Sequence, residues 1–202
     1  MDLIRLDGVV IVAGPDTAAT TSVRGAQPTV GLRFKPGVLP RLLGVPASEL
    51  RDTRVALAHV RPVPGSHSLI GLATALAAER RSGETAPWTL PLLDHVTGSL
   101  AAGASVSAVA QQVGVSNRSL QRQCGAVYGY GPALLRRVLR FRHAVTMLRA
   151  GAPFARVAAD AGFSDQPHLH REVRALAGVS LGQLASGANR STDVPSGSAT
   201  VA

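Results

Sequence analysis

The stretch VAQQVGVS at residues 109–116 returns as VAADAGFS at residues 157–164. Just beyond it, LQR at 120–122 returns as LHR at 169–171, and the glycine-containing breaks at 129–131 and 178 are followed by PALL and LGQL. One unit therefore occurs twice, about 48 residues apart, with a long helix between the copies. In the first copy Val106, Val109, Ala110 and Val113 follow the i, i+3, i+4, i+7 spacing of one apolar helix face, and Ser105 is a candidate N-cap. Gly114 permits a tight turn, Val115 packs between the helices, and Ser116 caps a second helix on which Leu120, Cys124 and Val127 share a face. The second copy repeats the plan. Val157, Ala158 and Ala161 pack its first helix, Gly162 makes the turn, Phe163 points inward and Ser164 caps a helix whose core face is Leu169, Val173 and Leu176.

What such a unit does depends on the opposite face. In the first copy Arg118, Gln121 and Arg122 project there at i, i+3, i+4, and arginine and glutamine carry the donors that pair with guanine and adenine edges in a major groove. In the second copy the corresponding candidates are Gln166, His168 and Arg171. His168 is expected to face DNA, with His170 lying away from it. Two residues apart on a helix, these histidines stand about 200° apart, so one metal ion cannot take both. No metal or other cofactor is expected. The stretch 131–151 starts with Pro132 near the first helical position and ends at Gly151, the asymmetry typical of a helix. Its length, roughly 28 Å at 1.5 Å per residue, approaches the ~34 Å of one B-DNA turn, so both units could enter successive major grooves. Arg136, Arg137, Arg140 and Arg142 on this helix, with Ser116, Asn117, Ser119 and Ser164 at the starts of the two reading helices, are candidate phosphate contacts.

Charge agrees. Of 21 basic residues only Lys35 is lysine, the net charge is +9, and residues 87–190 hold eleven arginines against Asp94, Asp160, Asp165 and Glu172. Such a balance predicts a polyanionic partner, nucleic acid ahead of a membrane, and the exposed faces above make that partner double-stranded DNA. The single cysteine, Cys124, excludes an intramolecular disulfide and a CxxC zinc framework, and its flanks suit a small buried filler. No apolar run reaches transmembrane length and no secretory leader is evident, so a cytoplasmic protein is expected. No catalytic residue is expected either: there is no GxSxG, and the N-terminal part offers only His59 and His67, neither on paired strands.

The N-terminal part has another period. Asp7-Gly8 between LIRL and VVIV predicts a hairpin through a type I′ turn. TVGLRF (29–34) predicts a third strand, residues 38–52 two short helical turns, and VALAHV (55–60) a fourth strand. So small a sheet leaves edges and one face to be covered. Helices are predicted over 68–83, with Leu69, Leu72 and Leu76 on one face, and over 87–103, entered through Pro87, with Trp88 in the core. The fold class is mainly α: two helix-turn-helix units joined by a long helix, preceded by a small β-rich segment. The divisions are a β-rich segment at 1–60, a helical linker at 61–86, a DNA-binding domain at 87–186 and a tail of disordered composition at 187–202.

At GVSNRSLQR, RFRHA and GFSDQPHLHREVRALAGVS the chain resembles the AraC/XylS family of bacterial transcriptional regulators, over about residues 88–186. The resemblance implies two helix-turn-helix units with reading helices at about 116–128 and 165–177. It assigns base reading to Arg118, Gln121 and Arg122 and to Gln166, His168 and Arg171. Contact with RNA polymerase at a nearby promoter is also implied. Leu169, Val173 and Cys124 stand where the family usually has phenylalanine, Leu181 replaces a usual proline, and Pro167 removes a polar side chain near the DNA. The N-terminal stretches DLIRLDG, VAGPDT and GLRFKPGVLPRLLGVPASELRD resemble the latter part of a cupin-like sensor domain, whose initial strands are expected to be missing. That lobe brings with it a homodimer and a small-molecule effector as expected partners. The alternatives are a truncated or decayed regulator that binds DNA weakly, and a ligand-binding cupin-type protein.

Overall fold

A computed structural model describes residues 1–18, 20–21, 29–62, 68–79, 83–186 and 192–193. It is mainly helical, with a small antiparallel sheet at the N-terminus. Strands β1 (Asp2–Leu6) and β2 (Val9–Ala13) form the predicted hairpin. Asp7 and Gly8 both take left-handed backbone, φ 48° and 80°, as a type I′ turn requires. A two-residue strand β3 (Thr20–Thr21) pairs with β6 (Thr192–Asp193), so one point of the expected disordered tail is paired; the rest of that tail lies outside the described residues. Strands β4 (Val30–Arg33) and β5 (Arg54–Ala56) complete a sheet of order β4-β1-β2-β5. In that register Leu3 lies beside both Val12 and Leu32, and Val12 beside Val55. Side chains alternate along a strand, so these residues form one apolar row.

That row is covered by helices. Short helix α1 (Val38–Leu43) and a 3-10 turn (Ala47–Leu50) match the two predicted helical turns. The predicted strand at 55–60 is corrected: β5 ends at Ala56, and residues Leu57–Val60 form a helical turn, α2, that buries Leu57. Helix α3 (Leu69–Ala78), capped by Ser68, adds Leu69, Leu72 and Leu76 to the same core as Leu3, Val12, Leu39 and Leu43. By packing, therefore, α3 belongs to the N-terminal core. The helix starts where expected and ends at Ala78, with Glu79 already extended, short of the expected end at 83; residues 80–82 and most of the linker before the helix lie outside the described residues.

The remaining helices build two further cores around one shared element. Helix α4 (Leu90–Ala101) begins not at Pro87 but at Thr89, whose hydroxyl accepts from Leu92 N–H. Then follow α5 (Val106–Gln112), α6 (Asn117–Tyr128), α7 (Pro132–Arg149), α8 (Phe154–Asp160), α9 (Gln166–Ala177) and α10 (Leu181–Ala185). The first half of α7 gives Leu135, Val138 and Leu139 to a core with Trp88, Leu93, Val96, Leu120, Cys124 and Tyr128. Its second half gives Phe141, Ala144, Val145 and Leu148 to a core with Val157, Phe163, Leu169, Val173 and Leu176. One helix of roughly 27 Å thus serves two cores end to end, which fixes the spacing of the elements packed on it.

The sheet does not stand apart from these helices. Gly37 approaches Leu93, Val127 and Tyr128, and Pro15 lies directly on Gly129. Tyr130 donates its hydroxyl to the Asp16 carbonyl, Arg51 Nε donates to the Gly129 carbonyl at 2.7 Å, and Arg41 donates to the Trp88 carbonyl at 2.5 Å. The end of α6 and the start of α7 thus pack on the loops after β2 and β4, on α1 and on the 3-10 turn, which ties the N-terminal segment to the helices.

Candidate nucleic-acid interface

Two helix pairs, α5–α6 and α8–α9, share one turn geometry. After α5, Val115 N–H bonds back to the Ala110 carbonyl at 3.0 Å and Gly114 N–H to Gln111 at 3.1 Å. After α8, Phe163 N–H bonds to Ala158 at 2.8 Å and Gly162 N–H to Ala159 at 3.1 Å. Gly114 and Gly162 have φ of 69° and 74°, left-handed backbone that closes the helix and needs no Cβ. Up to this point the copies correspond at an interval of 48. Beyond it they differ by one residue. Ser116 caps α6 by accepting from Ser119 N–H at 3.1 Å, as the sequence predicts. Ser164 does not cap α9: Asp165 does, accepting from His168 N–H at 2.5 Å. The second turn is one residue longer, and the helices that follow correspond at 49, the interval of the LQR and LHR repeats.

This shift decides which side chains occupy like positions. Leu120, Cys124 and Val127 match Leu169, Val173 and Leu176, all buried. Arg122 matches Arg171, Gln121 matches His170, Arg118 matches Pro167, and Ser119 matches His168. Arg118, Gln121, Arg122, Gln166, Arg171 and His170 are exposed, whereas His168 is half-buried. The His168 ring turns back on its own helix start. Its Nδ1 accepts from Ser164 N–H at 3.3 Å and lies 2.9 Å from Ser164 Oγ, and its ring meets Phe163 edge-on at 5.4 Å. His168 thus holds an otherwise unpaired amide, much as the glutamine of a capping box does. Against the expectation, the freely exposed histidine of the pair is His170, set edge-on to Phe154 at 6.0 Å. One further exposed cation, Arg174, lies a turn beyond Arg171 and was missed from the sequence; reading the repeat at 49 instead of 48 finds His170, and the i, i+3 spacing from Arg171 finds Arg174.

Arg118, Arg122, Arg171 and Arg174 make no ion pair among the described residues, so their charge is available to a ligand. No acidic residue lies on α6, and α9 carries only Glu172. Gln121 lies with its amide close against Gly131, at the start of α7. The arginines of α7 divide. Arg136 is half-buried without an ion pair among the described residues, and lines an open groove of about 550 Å³ with Arg140, His143, Asp160 and Gly162. Arg137 Nε donates to Glu172 at 2.6 Å, and Arg140 lies 3.8 Å from the same carboxylate, with its guanidinium 4.7 Å from the Phe163 ring centre. Arg142 turns away from this side altogether: it sits against Met1, Phe34 and Tyr130, where burial and nearby Arg33 lower its pKa. The expected phosphate role of Arg142 is thereby corrected, because the N-terminal sheet occupies its surroundings. Ser116, Asn117 and Ser164 are exposed and Ser119 half-buried at the two helix starts.

Cys124 is fully buried, and desolvation pushes its thiol up to about 12, the state of a packing residue rather than a nucleophile. Trp88 is buried beside Tyr128, ring centres 6.1 Å apart, as its core assignment expects. Among the described residues no group of three or more His, Cys, Asp or Glu could hold a metal ion, and no helix is long and apolar enough to cross a membrane.

Residues 109–186 match the model of a helix-turn-helix domain family. The matched span opens within α5 and closes after α10, so it takes in both helix pairs and the helix that joins them. No curated protein and no solved structure matches the chain. A helix-turn-helix domain is a DNA-binding regulatory domain, so the match supports a DNA-binding transcription regulator with double-stranded DNA as its partner, and it makes an enzyme the less favoured reading.

Proposed function

We propose that the chain is a sequence-specific transcription regulator whose two helix pairs are two helix-turn-helix units, with α6 and α9 entering successive major grooves on one side of DNA. The observation that carries this reading is the repeated turn geometry followed, in both copies, by a helix with an apolar buried face and unpaired arginines on its exposed face. Arg118, Gln121 and Arg122 read base edges in one groove; Gln166, His170 and Arg171 do so in the next, with Arg174 at the far end of the same stripe. His168 acts at one remove, by fixing the first turn of α9. Ser116, Asn117, Ser119, Ser164 and Arg136 meet phosphates, since helix N-termini and arginine both favour anions. Arg137 and Arg140 share their charge between Glu172 and the DNA. The N-terminal segment docked on the end of α6 is the part through which a sensor lobe would act on the first unit, and RNA polymerase is the partner that the family resemblance suggests.

Binding of duplex DNA across a salt series tests this reading. Counterion release predicts that log affinity falls linearly with log salt, with a slope of about −0.9 per phosphate neutralised. An affinity that does not respond to salt contradicts a DNA role for the arginines.

A further inference from the structure

Glu172 is the only acidic residue on α9, and it does not point to solvent. Its carboxylate accepts from Arg137 Nε at 2.6 Å with its side chain only 16 % exposed, and Arg140 Nη2 stands 3.8 Å away. Arg140 in turn donates to the Gly162 carbonyl at 3.4 Å and lies over Phe163, in the turn before α9. The three charged residues therefore join the middle of α7 to the turn before α9 and to the middle of α9 itself. An exposed ion pair on one helix would tolerate many orientations. A part-buried carboxylate shared by two arginines, one of them also fixed over a ring, tolerates few. In the first unit the equivalent position is Gln123, and α6 is held instead by the docked N-terminal segment.

We propose that Glu172 is a positioning residue that, through Arg137 and Arg140, sets the angle of α9 on α7 and so the spacing between the two half-motifs the protein accepts. It touches no DNA itself. The inference rests on the proposed two-unit reading, and its consequence is distinct from base recognition: spacing depends on Glu172, while the sequence of each half does not.

The test is selection of bound duplexes from a random library with the intact chain and with Glu172→Ala, Glu172→Gln and Arg137→Gln. Glu172→Ala is expected to keep both half-motifs but to accept several spacings where the parent accepts one. On the parent's preferred site it should lose on the order of tenfold in affinity, the scale of coupling between contacting residues. Arg137→Gln should relax spacing in the same way from the other side. The volume-conserving Glu172→Gln, which retains an acceptor for Arg137, should fall between parent and alanine variant and guards against a simple loss of folding. An unchanged single spacing in both Glu172 variants overturns the inference while leaving the DNA reading intact. So does tighter binding by Glu172→Ala alongside uniformly weaker binding by Arg137→Gln, because that pattern marks Glu172 as a mere competitor of phosphate. A folded parent that selects no motif overturns both.

Discussion

The two helix pairs are built on the same turn yet held by different means. The first is held from outside. Ala126, Val127 and Tyr128 at the end of α6 are buried, and Pro15, Ala47 and Arg51 of the N-terminal segment close over Gly129. The second is held by charge, through Glu172 and two arginines of α7. Its core is also built differently, on Phe141 and Phe163 where the first uses Trp88, Tyr128 and Tyr130. A repeated sequence pattern thus fixes local geometry, while the surroundings of each copy decide how tightly it is oriented. The first unit is coupled to whatever the sheet does, and the second to the joining helix.

The glycines that end the two reading helices offer the sharpest contrast. Gly129 and Gly178 both have left-handed backbone, φ 80° and 70°. A Cβ on Gly129 would overlap Pro15 and approach the Ala47 carbonyl to 3.1 Å, whereas a Cβ on Gly178 meets nothing within 4 Å. Gly129→Ala should therefore cost roughly 2–5 kcal/mol, combining backbone strain with overpacking. Gly178→Ala should cost only about 1–2 kcal/mol of strain. Denaturant unfolding of both variants checks this, and equal losses would break the contrast. Next in size, Arg122→Ala and Arg171→Ala should each lose ~1–3 kcal/mol of specific DNA affinity and relax the motif in their own half only. Binding assays on the selected sequence and on half-site variants show whether the two effects separate.

Smaller effects probe the one-residue difference in the turns. Ser116→Ala and Asp165→Ala each remove a cap and should cost about 1 kcal/mol, while Ser164→Ala should leave the α9 cap itself intact. A thermal melt in which Ser164→Ala is as damaging as Asp165→Ala would contradict the cap assignment. The smallest effect is the one that protonation of Cys124 has on stability, and it shows only at alkaline pH. Its folded pKa is pushed up to about 12 from an ordinary 9.0, so the folded chain keeps a proton that the unfolded chain loses. The stability it contributes is fully present below pH 9 and declines between about 9 and 12. Cys124→Ala should flatten that decline, as unfolding measured across this range would show.

Much of this was legible because helical periodicity and caps are local. The helices, Ser105 and Ser116 as caps, the Asp7-Gly8 hairpin and the burial of Cys124 follow from neighbouring residues. The strand expected at 55–60 failed because VALAHV is apolar but for His59, and so short an apolar run does not distinguish strand from helical turn. The cap of α9 and the placement of His168 were misread because Ser164 matches Ser116 in sequence while the added Asp165 takes its structural place. The docking of Pro15 on Gly129, of Arg142 on the sheet and of Glu172 on Arg137 joins residues far apart in the chain, and no local pattern announces such contacts.

The central claim is that two units read DNA together. It is tested most directly by selecting bound duplexes from a random library at near-physiological salt and sequencing them. A bipartite motif with halves one helical turn apart, about 10 base pairs, is the predicted result. A single half-motif, or no motif from a folded protein, would contradict it.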